Sequence, residues 1–158
     1  MNNTIKFFAF GLLLTLLSPA CIIDADGDLF DCERGEGPTV TRVMNLSDFH
    51  SFKLDISADV YITQGGEQFV EVRGQDNIID LLERDVRNGT WDIDFEGCVR
   101  NHNELEIYIT LPEFRHIEID GSGDVFGQTV LVGDAIELEI DGSGDMDLWV
   151  DMKLMAGE

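Results

Sequence analysis

The sequence predicts an all-β protein in which short strands stack as parallel coils, in the manner of a β-helix, behind a β-hairpin region. Three observations predict it. Apolar and polar residues alternate with a period of two along much of the chain, 16 glycines against 3 prolines supply tight turns, and one segment recurs at an offset of 21 residues. No long amphipathic helical pattern interrupts them.

Residues 1–20 read as an export signal: Lys6 and the terminal amine precede the apolar run Phe7 to Leu17, too short for a comfortable transmembrane span. Leu17-Ser18-Pro19-Ala20-Cys21 follows. Small residues before a cysteine permit cleavage there, and the segment looks like a bacterial lipobox, with Cys21 as the lipidated first residue of the mature chain. Its leucine stands one place early and Pro19 is an unusual occupant. Ile22 in place of an aspartate after Cys21 points to the outer membrane, facing the periplasm or the surface. Residues 21–38, rich in Asp, Glu and Gly, are expected to be an acidic tether, and residues 39–158 the domain.

Strand signals start at Thr39. Phe52-Lys53-Leu54-Asp55-Ile56, Val60-Tyr61-Ile62-Thr63 and Phe69-Val70-Glu71-Val72-Arg73 alternate cleanly, so one face of each is expected in a core. Residues 77–86 fit a short helix and a strand equally well. Asn88-Gly89 is a hairpin signal, because both residues tolerate the positive φ of a type I′ turn. Leu105 to Leu111 alternates again, and Pro112 ends it.

The repeat comes last. Ile117-Glu118-Ile119-Asp120-Gly121-Ser122-Gly123-Asp124-Val125 recurs as Leu138-Glu139-Ile140-Asp141-Gly142-Ser143-Gly144-Asp145-Met146, and Leu54-Asp55-Ile56-Ser57-Ala58-Asp59-Val60 is a fainter relative without the glycines. One such unit cannot bury its apolar residues alone, whereas stacked units form a continuous core. Gly121, Ser122, Gly123, Gly142, Ser143 and Gly144 are the expected turns.

These segments, together with Val86-Arg87-Asn88-Gly89-Thr90-Trp91 and Ile109-Thr110-Leu111-Pro112, resemble the bacterial head GIN domain family of auto-transporter adhesins over residues 48–150. The resemblance implies a right-handed parallel β-helix-like solenoid and an envelope or surface location. Its name suggests adhesion, and it brings no catalytic residues. Family members usually continue with further turns, whereas Ala156-Gly157-Glu158 resembles the lead-in Val132-Gly133-Asp134. The sequence is therefore expected to stop inside a third coil, either as a fragment, with another such turn within about ten residues, or with the last coil left open for a partner.

Acidic residues outnumber basic ones by 32 to 10, for a net charge of −22, which repels nucleic acid and anionic lipid headgroups. Hydrophobic residues at 44% still allow a core. Stacked coils would set Asp120 over Asp141 and Asp124 over Asp145, about 4.8 Å apart, where like charges repel by roughly 0.9 kcal/mol even in bulk water. Splayed side chains, a raised pKa or a bound calcium ion would each relieve this, while the plainer role of these aspartates is turn capping. Asp24, Asp26 and Asp28 lack the glycine placement of an EF-hand. Cys32 and Cys98 are a candidate disulfide in an oxidising compartment. His50, His102 and His116 show no zinc-type spacing in sequence. Ser122 and Ser143 lack the Gly-x-Ser-x-Gly elbow and a nearby histidine, so no enzyme is expected. Tyr61, Tyr108, Trp91 and Trp149 are candidates for a sugar platform, against the commoner role of strand packing. The expected function is a non-enzymatic envelope lipoprotein that binds or adheres to a protein or glycan. The alternative is a calcium-assisted carbohydrate-binding module or a polysaccharide-active β-helix protein.

Overall fold

The computed structural model describes residues 32–153, all within the compact unit Asp31–Glu158. Cys21 and the export segment lie outside the described residues, as do Asp24, Asp26 and Asp28. The strands begin with β1 (Glu33–Arg34), β2 (Thr39–Val43), β3 (Ser51–Leu54) and β4 (Asp59–Gln64). β5 (Phe69–Gln75) runs into a single helical turn, α1 (Asp76–Asp80), followed by β6 (Val86–Arg87) and β7 (Thr90–Ile93). Then come β8 (Val99–Arg100) and β9 (Glu106–Leu111). The first repeat forms β10 (His116–Ile119), β11 (Asp124–Gly127) and β12 (Leu131–Gly133). The second forms β13 (Glu137–Ile140), β14 (Met146–Asp147) and β15 (Val150–Met152). The described residues are all-β apart from α1.

The two repeats pair in parallel with no slip: Ile117 faces Leu138, Ile119 faces Ile140, Val125 faces Met146 and Leu131 faces Val150. The fainter unit lies on the other side of the first repeat, with Leu54 beside Ile119 and Val60 beside Val125. β7 and β9 in turn pair in parallel with β3 and β4. Rows of side chains therefore run across the strands, Trp91–Phe52–Ile117–Leu138 along one wall and Ile107–Val60–Val125–Met146 along the other. In every row but its last member the inward residue is fully buried. Each such aliphatic side chain contributes about 1.5–3 kcal/mol on burial, so the register is set by apolar period. A slip of one residue would turn each core row into solvent.

Spatial order is not chain order. The larger sheets run β13-β10-β3-β7-β6 and β14-β11-β4-β9-β5-β2, so β3 and β4 sit between the strands that follow them. After β9 the chain crosses back over residues 112–115. Phe114 is buried there, edge-on to Phe52 with ring centroids 6.5 Å apart, and the Arg115 amide donates to the His50 carbonyl at 2.8 Å. β5 pairs antiparallel with both β9 and β2, and β6 with β7. The β6–β7 turn has φ of 54° at Asn88 and 77° at Gly89, as its sequence demands.

Two segments depart from the sequence-based expectation or resolve it. Residues 77–86 contain the short helix α1, which buries Ile78 and Ile79. Its first turn has no side-chain cap, because the Gln75 amide accepts from the Asn103 backbone at 2.8 Å and donates to Gly37 at 3.2 Å. Residues 32–38, expected as tether, are fastened to the domain. Cys32 is disulfide-bonded to Cys98, β1 pairs with β8, and the Asn77 side chain bonds to both Glu36 and Arg34. Backbone hydrogen bonds and a covalent link need no apolar pattern, so none was visible.

Candidate functional site

The corner between β10 and β11, and its copy between β13 and β14, are where the glycines act. None of Gly121, Gly123, Gly142 and Gly144 has a positive φ; among the described glycines only Gly37, Gly89 and Gly97 do. Their role is close approach. A Cβ on Gly121 would lie 2.6 Å from the Asp55 backbone, and one on Gly142 would lie 2.6 Å from the Asp120 carbonyl oxygen. The Ser143 amide donates to the Gly121 carbonyl at 2.9 Å, tying one corner to the next. Ser122 and Ser143 point to solvent. Ser122 shares a shallow cleft with Asp59 and His102, yet among the described residues no hydrogen bond joins that hydroxyl to the imidazole, whose Nδ1 faces the Asn103 carbonyl.

The repeat aspartates are engaged one by one. Asp120 is held by the Lys53 ammonium at 2.8 Å, which depresses its pKa. Asp124 accepts from the Asp145 backbone amide at 2.8 Å, a turn-capping contact between the two repeats. Asp141 and Asp145 are exposed. Among the described residues these four carboxylates do not gather as three donors around one point. Charge crowding shows elsewhere. Asp59, in register with Asp124 on one side and Glu106 on the other, has its pKa raised by burial and then by Asp124, Glu104 and Glu106.

The outer face of the β13-β10-β3-β7 wall is an acidic surface around Lys53. Its ammonium lies 3.1 Å from Asp55, 2.8 Å from Asp120 and 3.6 Å from Glu118, and its bonds to Asp120 and then Asp55 raise its own pKa. Burial, and a hydrogen bond shared with Asp92, raise that of Asp55. At the margin of this face stand His116, Glu118 and Glu139, whose donor atoms lie within 4.8 Å of one another. Sequence spacing among histidines alone missed this group. The signal was present in His116-x-Glu118, which shares a strand face, and in the 21-residue repeat that brings Glu139 beside Glu118.

The outer face of the second wall carries an aromatic ladder. Tyr108, Tyr61 and Phe126 occupy one row of β9, β4 and β11. Their ring centroids are 5.0 and 5.3 Å apart with interplanar angles of 15° and 24°. Rings stacked along the row hide their faces against each other and turn edges outward. A sugar stacks on a ring face, and only the end rings offer one. Glu106, Asp59 and Asp124 flank the ladder on one side, Thr110, Thr63 and Gln128 on the other. The Tyr108 hydroxyl donates to Glu106 at 3.0 Å, and burial followed by nearby carboxylates raises both tyrosine pKa values. Of the expected platform residues, Trp91 is instead core, its indole N–H donating to the Glu83 carbonyl at 2.9 Å, and Trp149 is exposed between β14 and β15. Phe126 had drawn no notice in the sequence, although the repeat aligns it with Tyr61.

The family described as "Putative auto-transporter adhesin, head GIN domain" matches residues 48–156. Among solved structures, the chain is similar to a "putative adhesin" from Bacteroides fragilis NCTC 9343, with 26% identity and a TM-score of 0.68 over 75% of this chain and 58% of that one. A "putative lipid binding protein" from Parabacteroides distasonis ATCC 8503 gives 22%, 0.68, 75% and 52% for the same measures. A "putative adhesin" from Parabacteroides merdae ATCC 43184 gives 18%, 0.65, 70% and 47%. The chain thus spans about half the length of these structures. No curated protein matches it.

Proposed function

The chain belongs to the head GIN domain family of auto-transporter adhesins, and from that premise we propose that it is a non-enzymatic envelope lipoprotein that presents a binding surface, anchored through Cys21. Its parallel ladders are then coils of a right-handed β-helical stack. Among the described residues no helix is long and apolar enough to cross a membrane, so a lipid on Cys21 would supply the attachment; two or three acyl chains make a stable anchor.

The observation that carries the reading is the ladder Tyr108–Tyr61–Phe126, half-buried on an outer face and bordered by Glu106, Asp59 and Asp124. A row of ring edges flanked by carboxylates suits a basic protein surface better than a sugar, and the net charge of −22 draws such a partner in. The test uses bead-coupled mature chain against basic proteins, acidic proteins and neutral polysaccharides. Expected is retention on basic proteins that weakens with salt and is lost in a Tyr61→Ser, Phe126→Ser variant of unchanged circular dichroism. Equal retention by that variant, or retention on neutral polysaccharides only, contradicts the proposal. For the anchor, Cys21→Ser should move the protein from the membrane fraction to the soluble one.

A further inference from the structure

We infer that His116, Glu118 and Glu139 form a binding site for a divalent transition-metal ion of the zinc class, on a different sheet from the aromatic ladder. The backbone builds the group. His116 and Glu118 are two residues apart on β10 and project from the same outer face, while parallel pairing sets Glu139 of β13 directly beside Glu118. One donor atom from each then falls within 4.8 Å of the others, and small rotations of two glutamates bring such a set to the roughly 2.0–2.2 Å metal–ligand distances of a tetrahedral site with water in the fourth place.

The histidine supplies the second observation. Its Nε2 is shielded from solvent and has no hydrogen-bond partner. The nearest carboxylate oxygen, on Glu139, is 3.8 Å away, within ion-pair reach and beyond hydrogen-bond reach. A shielded ring nitrogen that stands 3.8 Å from one carboxylate without bonding it, in a group whose donor atoms lie within 4.8 Å of one another, is satisfied by a cation among them. Imidazole nitrogen with two carboxylates selects zinc-like ions over calcium, which takes six to eight oxygens. Lys53 is the competing cation, but it sits closer to Asp120 and Asp55, and Glu118 at 3.6 Å is its longest partner. The surrounding acidic face adds a field that concentrates cations.

The experiment is calorimetric titration of the purified mature chain with zinc chloride, and separately with calcium chloride. The parent protein, His116→Ala, Glu139→Gln and the neighbouring control Asp141→Asn are compared. Expected is a single saturable equivalent of zinc, with calcium failing to compete. Both site variants should weaken it by more than about tenfold, the loss that even outer partners of metal ligands cause, and Asp141→Asn should leave it unchanged. Cobalt in place of zinc should show visible absorption bands that vanish in His116→Ala. Several weak equivalents indifferent to His116→Ala would mean diffuse counterion binding, and no binding at millimolar zinc would mean no site. Either overturns the inference without touching the aromatic face.

Discussion

Gly121 lies between two backbones, above Asp55 and below Gly142. A methyl group there must displace main chain, which does not yield as a side-chain tip does. Gly121→Ala is therefore expected to cost about 1–3 kcal/mol, the range for overpacking, read from denaturant midpoints. The same change at Gly66, where a Cβ meets nothing within 4 Å, should be close to neutral. Lys53 is a second residue on which much rests. It neutralises Asp55, Asp120 and Glu118 at once, and Lys53→Met should lower Tm by a few degrees, less at high salt. The pH dependence follows from the shifts. Asp120 has a depressed pKa, so its contribution is present above the unfolded value and is lost as pH falls through the folded one. The gap between parent and Lys53→Met should accordingly close below about pH 4. None of the stapling glutamines could be read from sequence. Gln64 donates to Pro112 and Val132 and accepts from the Val132 amide at 2.7 Å, yet a half-buried glutamine carries no pattern that names its partners.

Strands were the legible elements, because a half-buried strand writes its face into the sequence every second residue. β9 and β10 follow that alternation residue by residue, β3 does so from Phe52 onward and β4 as far as Thr63. The 21-residue offset fixed which strands of the two repeats are neighbours. It did not fix that β7 and β10 would lie on opposite sides of β3, since the ladder is made by backbone groups that every residue carries. The metal-type cluster was half legible for the same reason. His116 and Glu118 share a face by local spacing, whereas Glu139 joins them only through strand pairing. Burial within the repeats is uneven. Ile117 is fully buried between Phe52 and Leu138, while Leu138 is 43% exposed. Ile117→Ala should cost about 2–5 kcal/mol and Leu138→Ala under about 1 kcal/mol, a contrast that equilibrium unfolding of this chain would measure. Equal losses would mean that the outer side of β13 is covered in solution.

At the scale of the molecule, the disulfide between Cys32 and Cys98 closes a separation of 66 residues, worth about 4 kcal/mol in the chain-entropy model. It fastens the first described residues to the segment between β7 and β8. Such a link helps a chain of net charge −22 hold its compact form against its own repulsion, and it would persist in the oxidising compartment that the proposed function implies. Both outer faces follow from one device, the stacking of like segments in parallel register. That register lines up Tyr108, Tyr61 and Phe126 on one wall and sets Glu139 beside Glu118 on the other. The stacking can be measured at the corners, where Ser57, Ser122 and Ser143 are exposed on three successive layers. In a chain carrying Cys21→Ser, cysteines are placed pairwise at these serines and disulfide formation under mild oxidation is followed. Neighbouring layers are about 4.8 Å apart and alternate layers roughly twice that. The pairs 57 with 122 and 122 with 143 should close within a molecule, and 57 with 143 should not. Closure of 57 with 143 as readily as the others, or of none, would contradict the stack.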